Sequence, residues 1–320
     1  MQLGLDQIEF LKQHWSIEGE VRFHRRLANF VYFTNLNGEE VVLRLTQPYH
    51  RKFEELKSEL HWLTYLNQNG MQVANPIATK TGEFIVELEG ESLFYASIFV
   101  KAKGAPLTDE EACQPEVIKT WGRYLGQMQS LTKKYNPPSR IQRRQNWRED
   151  ESLAMALRSM DPKDGIPYTR LNELLEWMTS LPQDNESYGL IHTDLHRGNF
   201  FFHEGALTGF DFDDACYQWF SYDLIAPLNS VHKNFYEGNE HTEKAKTTDL
   251  FLQGYSTQNT LSPLWIDRIE LFDKYRAAMV FHWTKTFLRE GMLTGPKAIG
   301  WAARKAPEMV EVLRAPLKLR

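Results

Sequence analysis

Cysteine is scarce in this chain, which has only Cys113 and Cys216 among its 320 residues. Two thiols exclude a disulfide scaffold and a zinc site made of four cysteines, although one disulfide stays possible. Apolar runs are also short, far below the roughly 18 residues that indicate a membrane span. The N-terminus has no basic segment followed by an apolar one, so we expect no signal peptide. The sequence therefore predicts a cytoplasmic protein with reduced thiols and no membrane partner.

An excess of basic charge is missing as well. Lys and Arg number 37 against 42 for Asp and Glu, which leaves a net charge of −5. This balance excludes a strongly basic surface for nucleic acid as the main function. The chain is 25% charged and 42% hydrophobic, which is typical of a globular protein. Its length favours about two domains, and it leaves open whether the protein is a monomer or a homodimer.

The first hundred residues carry strand signals around one helix. Asn37 and Gly38 lie between two runs rich in β-branched and aromatic residues, which is a strong signal for a hairpin. A helical stretch follows with apolar residues at every third or fourth position, and Gly70 stands just after it as a C-terminal cap. We predict strands at 30–36, 41–45, 84–88 and 94–100, and a helix at 51–69.

The character of the sequence changes between residues 101 and 106. Beyond this point the apolar residues recur mostly at helical spacing. We predict helices at 115–131, 152–160, 168–181 and over most of the chain after 240. The pattern thus indicates an α+β protein with a small antiparallel-sheet part followed by a larger, mainly helical part.

The chemistry of the sequence is concentrated in the segment 188–223. Residues 200–202 and 206–210 form a predicted hairpin around His203-Glu204-Gly205. This hairpin would bring Asn199 close to Asp211, with Asp194 in the loop ahead of them. Magnesium takes oxygen ligands, and a further carboxylate can accept a proton from an attacking hydroxyl. The three side chains therefore suit phosphoryl transfer.

The segment resembles a known family. The spacing His192-x-Asp194-x-x-x-x-Asn199 has the Asp-to-Asn offset of the protein-kinase catalytic loop. IHTDLHRGN is similar to the H-G-D-x-x-x-x-N motif of the aminoglycoside phosphotransferase and choline kinase family, with Thr193 in place of glycine. FDFDD, which contains Asp211, and the later Asp223 also match that family. The resemblance covers about residues 29–287.

The resemblance implies a bilobal protein-kinase-like fold with an antiparallel-sheet lobe at 1–98, a hinge at 99–104 and a helical lobe at 105–320. It implies an ATP-dependent kinase that transfers the γ-phosphoryl group to a hydroxyl of a small molecule, such as an amino alcohol, an amino sugar or a similar antibiotic. Asp194 would then be the catalytic base, and Asn199 and Asp211 would bind Mg²⁺. Asp223 would support the catalytic loop, with His192 packed beneath it.

The resemblance also assigns the nucleotide site. Arg44 takes the place of the strand lysine that contacts the ATP phosphates, and Glu59 that of its ion-pair partner on the helix. Phe99 and Lys101 belong to the hinge that would meet adenine. Arginine keeps the charge of lysine and binds phosphate through a fork of N–H groups. The residues around Asn29 contain no glycine, so Arg25, Arg26, Asn29 or backbone amides would hold the phosphates.

Three other functions remain open on the sequence. A protein serine/threonine kinase would use the same fold and the same catalytic residues. A zinc hydrolase could use His192, Asp194 and His196, because imidazole and carboxylate groups bind zinc. A nucleotide-binding regulator without catalysis is the third, although regulators of this kind often lose one of the three metal and base residues.

Some further groups allow two interpretations each. The basic run of Arg140, Arg143, Arg144 and Arg148 is either a solvated loop or a docking site for an anionic partner. Asp213 and Asp214 either extend the metal site or are solvated, and the first is favoured for Asp213 alone. Aromatic residues near the acidic segment either fill the core or face an ammonium group of the substrate; these are Tyr217, Trp219 and Tyr222. The C-terminal helices supply loose candidates for the acceptor pocket, which are His282, Trp283, Lys285 and Glu290.

Overall fold

A computed structural model describes residues 3–26, 28–232, 240–291, 293 and 296–319. Within these residues, six strands form one antiparallel sheet in the order β1-β2-β3-β6-β4, and β5 also pairs with β6. The strands are β1 (Ile17–Arg26), β2 (Phe30–Leu36), β3 (Glu39–Thr46), β4 (Pro76–Ile77), β5 (Val86–Leu88) and β6 (Phe94–Val100). The predicted hairpin is confirmed, and Asn37 and Gly38 turn the chain with φ values of 51° and 80°.

The sheet has a different helix on each of its two faces. Helix α1 (Leu5–His14) packs on one face, where Leu11, Leu43 and Ile98 share a hydrophobic core. Since successive side chains of a strand point to opposite faces, Val42 and Arg44 lie on the other face. Helix α2 (Phe53–Gln68) lies on that side and ends before Gly70, whose φ is 81°.

The rest of the chain is mainly helical, as predicted. The helices are α3 (Asp109–Ala112), α4 (Pro115–Thr132), α5 (Glu151–Ser159), α6 (Ile166–Ser180), α7 (Phe220–Asp223), α8 (Ile225–His232), α9 (Glu240–Tyr255), α10 (Pro263–Asp267), α11 (Ile269–Arg289) and α12 (Pro296–Arg314). Two short antiparallel pairs interrupt them: β7 (Tyr188–Ile191) with β10 (Cys216–Trp219), and β8 (Phe200–His203) with β9 (Ala206–Gly209). No helix in the described ranges has the length and apolar character of a membrane span.

Aromatic side chains join the segment 188–223, which contains the predicted catalytic residues, to helices α2 and α4. The rings of Trp121 and Phe200 lie 4.6 Å apart, which anchors the start of the β8–β9 hairpin on α4. Phe212 contacts Trp62 of α2 at 5.4 Å and His192 at 4.5 Å between ring centres. Phe200, Phe212 and Trp62 are fully buried. The loops on either side of the hairpin are therefore held between α2 and the helical part.

Candidate active site

The β8–β9 hairpin brings the predicted catalytic and metal residues together. Phe200 pairs with Gly209, and the N–H of Phe210 donates to the carbonyl oxygen of Asn199 at 2.9 Å. Phe210 therefore lies opposite Asn199, and Asp211 is the next residue of the chain. The side-chain N–H of Asn199 donates to the carbonyl oxygen of Asp194 at 3.0 Å. Asp194, Asn199 and Asp211 thus lie at one end of the hairpin, as the sequence predicts.

Asp223 and His192 hold the loop that carries Asp194 through hydrogen bonds to its backbone and to Phe210. Asp223 is fully buried, and its carboxylate accepts the backbone N–H groups of Thr193 at 2.8 Å and His192 at 3.4 Å. Nε2 of His192 donates to the carbonyl oxygen of Phe210 at 3.2 Å. Among the residues that the structure describes, no group of three or more His, Cys, Asp or Glu side chains could hold a metal ion. The His192-Asp194-His196 pattern therefore builds no zinc site.

Thr193 stands where the family motif has glycine, and its φ is +70°. A β-branched residue in this conformation costs about 1–3 kcal/mol, so the surroundings must hold it. Its N–H donates to Asp223, its hydroxyl donates to the carbonyl oxygen of Asp214 at 3.2 Å, and its carbonyl oxygen accepts from Arg276 at 3.0 Å. These bonds fix the residue that immediately precedes Asp194.

An ion pair crosses from the sheet to α2 on the other side of the cleft. Both terminal nitrogens of Arg44 donate to the carboxylate of Glu59, at 2.8 and 2.7 Å. The guanidinium carbon also lies 4.7 Å from the ring centre of Phe99. Although burial opposes the charge, Glu59 holds the pKa of Arg44 above its ordinary value. The predicted partners are thus in contact, with Phe99 beside them.

Breaking this pair is expected to destabilise the protein strongly. Only 1% of the Glu59 side chain is exposed, so Arg44→Met would leave a buried carboxylate without compensation. We expect the free energy of unfolding to fall by about 3–5 kcal/mol, measured by urea denaturation. The double variant Arg44→Met/Glu59→Gln should recover much of that loss because no lone charge remains. Equal stability of Arg44→Met and the native protein would contradict this account.

Lys101 also lies on the cleft but is engaged locally. Its ammonium group pairs with Glu40 and lies 5.0 Å from the ring centre of Phe33. The side chain is therefore fixed against β2 and β3. These contacts keep the Lys101 side chain at the rim of the cleft.

Of the three acidic residues in the FDFDD segment, Asp211 and Asp213 differ in their surroundings. Asp211 faces the cleft, and burial together with the charge of Asp213 raises its pKa to about 6. Asp213 accepts from His50 at 2.6 Å, from Arg51 at 3.2 Å and from Asn29 at 3.2 Å. Although burial works against it, the hydrogen bond from His50 and the charge of Arg51 hold the pKa of Asp213 well below its usual range. The side chain of Asp213 thus ties the segment after Asp211 to Asn29, His50 and Arg51, which belong to the part of the chain that forms the sheet.

The basic run is neither wholly solvated nor a free docking site. Arg144 is buried and donates to the carbonyl oxygens of Glu55, Asp213 and Ala215. Arg143 is exposed but stacks on the ring of Tyr217, 3.9 Å from its centre. Both earlier interpretations are therefore wrong for Arg144, since this residue joins α2 to the segment that follows Asp211.

Two cavities border the catalytic loop. The larger, of about 490 Å³, is mostly apolar and lies between the sheet and the β8–β9 hairpin. It is lined by residues that include Val42, Arg44, Phe99, Ala102, Phe201 and Asp211. The smaller, of about 210 Å³, lies against α11 and has a polar wall. Its lining includes Asp150, Asp194, Asp214, Tyr222, Arg276 and Trp283.

The smaller cavity contains residues that the sequence did not single out. Arg276 of α11 donates to Oδ1 of Asp194 at 2.5 Å. Asp150 caps α5, and burial together with the charge of Asp214 raises its pKa to about 6. Neither residue belongs to a recognisable motif, so only the packing of α5 and α11 beside the loop reveals them.

The candidates for the acceptor pocket divide clearly. Trp283 lines the cavity, as the sequence suggested, and so does Tyr222, for which the sequence left core packing open as well. His282 is fully buried nearby, and Lys285 pairs with Asp164 at 2.6 Å. Trp219 lies in the core against Trp147 and Tyr188. These three do not line the cavity.

The sheet, the helical part and the Asp–Asn–Asp cleft between them define a phosphotransferase with a protein-kinase-like fold. The chain belongs to the phosphotransferase enzyme family, whose model matches residues 20–245. The family and fold predicted from the sequence are thus confirmed.

Named relatives refine this placement. The chain is 33% identical to an amicoumacin kinase of Bacillus subtilis (strain 168) over 270 residues, which cover 82% of this chain and 79% of the relative. It is 27% identical over 243 residues to a homoserine kinase of Polaromonas naphthalenivorans (strain CJ2), at 74% and 72% coverage. The structure of the amicoumacin kinase hAmiN in complex with AMP-PNP, Ca²⁺ and Ami has a TM-score of 0.84 and 26% identity, over 95% of this chain and 92% of that one.

A more distant structure, a spectinomycin phosphotransferase with a TM-score of 0.63 and 16% identity, shares the fold over 98% of this chain and 99% of its own. The prediction of a small-molecule phosphotransferase with a hydroxyl acceptor is confirmed. The protein-kinase, zinc-hydrolase and non-catalytic alternatives find no support among the named curated relatives, which are kinases of small molecules.

Proposed function

We propose that the protein transfers the γ-phosphoryl group of ATP to a hydroxyl group of amicoumacin or of a similar amine-bearing antibiotic. The relatives support this acceptor, because both the sequence relative and the structural neighbour with the highest identities quoted above are amicoumacin kinases. One observation carries the proposal. Asp194 lines an acidic cavity, and its carbonyl oxygen accepts a hydrogen bond from Asn199, whose neighbour Gly198 lines the nucleotide-sized cleft.

The larger cavity suits ATP. Its volume falls within the range of small-molecule sites, and its apolar walls match a purine ring. We place adenine against the predicted hinge at 99–104, with Phe99 and Lys101 at its edge, and the phosphates toward Arg44. Arg25 lies at the open side, 3.9 Å from Asp211, where it can also meet phosphate. The lobe boundaries at 98 and 105 stay predictions of the sequence.

The residues present fit a divalent metal ion, and we propose Mg²⁺. Asn199 uses its amide nitrogen to bond Asp194, so Oδ1 is its ligand atom. Asp211 offers a carboxylate with 38% of its side chain exposed to the cleft, and Arg25 at 3.9 Å is too far for a strong pair. Hard oxygen donors of this kind suit Mg²⁺, which when bound neutralises charge on the phosphates.

The transfer itself needs one base. The acceptor oxygen forms a bond to the γ-phosphorus while the bond from that phosphorus to the β–γ bridging oxygen breaks, which leaves ADP. Asp194 accepts the hydroxyl proton. Arg44 balances negative charge on the departing diphosphate. Positioning and charge stabilisation supply most of the rate in such reactions.

The smaller cavity favours an acceptor that carries an ammonium group. Asp150 and Asp214 lie on its wall with Asp194, and Tyr222 presents an aromatic ring. Oδ1 of Asp150 accepts from Ser152 and Gln145, both at 3.3 Å, which leaves Oδ2 for a ligand. Carboxylates and an aromatic face together attract a cation.

The acceptor KM should therefore depend on pH through Asp150. Its pKa is raised to about 6 by burial and Asp214, against the opposing charges of Arg51 and Arg144. The carboxylate is ionised above this value, so we expect the KM for amicoumacin to rise about tenfold as pH falls from 7.5 to 5. Asp150→Asn keeps the helix cap. It should show the high KM at both pH values, measured by initial rates of ADP release. An unchanged KM in this variant would contradict the assignment.

A small amino alcohol is the second candidate acceptor. The compactness of the 210 Å³ cavity and the homoserine kinase relatives favour it. Comparing kcat/KM for amicoumacin and L-homoserine decides between them, and we expect amicoumacin to be the better substrate by at least about tenfold. The cytoplasmic location and the monomeric or homodimeric state stay predictions of the sequence.

A further inference from the structure

Arg276 holds one oxygen of Asp194 and leaves the other toward the acceptor. We propose that Arg276 is a positioning residue for phosphoryl transfer, which fixes Oδ1 of Asp194 so that Oδ2 receives the hydroxyl proton. This inference rests on the proposed role of Asp194 as the base. Nothing in the sequence motif points to residue 276, which lies on α11 and 82 positions further along the chain.

The guanidinium group bonds two successive residues at once. One terminal nitrogen of Arg276 donates to Oδ1 of Asp194 at 2.5 Å, and the other donates to the carbonyl oxygen of Thr193 at 3.0 Å. A guanidinium presents its donors in a rigid plane, so these two bonds fix both the carboxylate and the backbone that carries it. A lysine ammonium could reach one of these acceptors without the same fork.

Arg276 is itself held in place. Its side chain is 19% exposed and forms a hydrogen bond with the side chain of Tyr222 on the wall of the smaller cavity. Although burial opposes its charge, Asp194 holds the pKa of Arg276 above its ordinary value. The guanidinium group of Arg276 therefore stays charged, and we call its bonds to Thr193 and Asp194 the clamp. Its position follows from the packing of α11 against α7.

The second oxygen of Asp194 is held less firmly. Nε2 of His196 lies 3.5 Å from Oδ2, which is longer than a good hydrogen bond. Nδ1 of His196 accepts the N–H of Gly198 at 2.9 Å, so the ring proton is on Nε2 and points to Asp194. A hydroxyl that approaches Oδ2 competes with this longer contact, whereas approach to Oδ1 would compete with the guanidinium.

The clamp also explains how Thr193 is tolerated at φ +70°. Without Arg276 the carbonyl oxygen of Thr193 would lose one of the bonds that hold this residue, and the strain of a β-branched residue would favour a different backbone conformation. Such a change would carry Asp194 away from the acceptor. A displacement of about 1 Å at a reacting group costs about 100-fold in rate.

The test compares Arg276→Gln and Arg276→Lys with the native enzyme, using ATP, Mg²⁺ and either amicoumacin or L-homoserine, whichever the native enzyme phosphorylates faster. We expect kcat to fall about 100-fold in Arg276→Gln and about tenfold in Arg276→Lys. Affinity for a fluorescent ATP analogue should stay within about twofold, because Arg276 does not line the larger cavity. Lys285→Gln is the matched control, since it breaks an ion pair on the same helix outside both cavities.

A double-variant cycle separates positioning from a general structural effect. If Arg276 acts through Asp194, adding Arg276→Gln to Asp194→Asn should cause no further loss of kcat. Multiplicative losses, or native kcat in both Arg276 variants, would overturn the clamp while leaving Asp194 as the base. Native kcat in Asp194→Asn, or no phosphorylation of either acceptor by the native enzyme, would overturn the proposed function and the clamp together. If Arg276→Gln fails to fold, as melting would show, the lysine variant carries the test.

Discussion

Replacing Asp194 with asparagine is expected to lower kcat by about 10²–10⁴-fold while ATP binding stays near the native level. Asparagine keeps the shape of the side chain but cannot accept the hydroxyl proton. The nucleotide contacts should survive because Asp194 lines the smaller cavity and not the larger one. The measurement is steady-state ADP release with amicoumacin, together with titration of a fluorescent ATP analogue.

Asp109→Asn is the matched control for this experiment. Asp109 pairs with Arg197 of the same loop, but its side chain is 72% exposed and lines neither cavity. We expect native kcat in this variant, which would show that loss of a nearby carboxylate is not enough to stop the reaction. Near-native turnover of Asp194→Asn would rule out Asp194 as the base.

Asp211→Ala is expected to abolish metal-dependent binding of the nucleotide. The variant removes the one carboxylate of the proposed metal pair and leaves Asn199 as a neutral ligand, which cannot hold Mg²⁺ against water by itself. Isothermal titration of AMP-PNP with and without Mg²⁺ measures the effect. The native protein should bind more tightly with the metal, and the variant should bind equally weakly in both conditions.

A second variant tests whether Asp211→Ala loses metal binding only because its fold is damaged. Asp211→Asn keeps an oxygen ligand and the volume of the side chain, so its fold should be intact by melting temperature. We expect it to regain part of the metal response at high Mg²⁺ concentration. If Asp211→Ala responds to Mg²⁺ as the native protein does, the metal site lies elsewhere.

The hairpins and the longer helices could be predicted because their signals are local. Asn37-Gly38 and the Phe200–Gly209 region combine turn residues with short apolar strands, and α4 has a regular apolar stripe. Strand β1 escaped prediction because it is an edge strand, and its residues after Ile17 are mostly exposed. An edge strand without a buried face shows no alternation of apolar and polar residues.

The candidate site also has residues that the sequence could predict and residues that it could not. Asp194, Asn199 and Asp211 lie within 18 residues of sequence, so one hairpin is enough to bring them together. Arg276 and Asp150 reach the same cavity only through packing of α11 and α5. No local pattern marks them. The burial of Arg144 has a similar cause, since its three carbonyl partners come from α2 and from the segment after Asp211.

The family resemblance predicted the contact between Arg44 and Glu59, although arginine replaces the usual lysine. The geometry shows how the exchange is accommodated: the forked guanidinium bonds both carboxylate oxygens and rests on Phe99. A lysine ammonium can also pair with a carboxylate, but it lacks the planar fork and would not stack on the ring in the same way. The guanidinium of Arg44 thus ties β3 to α2.

Mass spectrometry and ³¹P NMR of amicoumacin after incubation with the protein, ATP and Mg²⁺ test the central claim most directly. We expect one phosphoryl group attached to a hydroxyl oxygen, one ADP formed for each product molecule, and at most about 1% as much product with Asp194→Asn over the same time. Release of inorganic phosphate without a phosphorylated acceptor, for amicoumacin and L-homoserine alike, would contradict this claim.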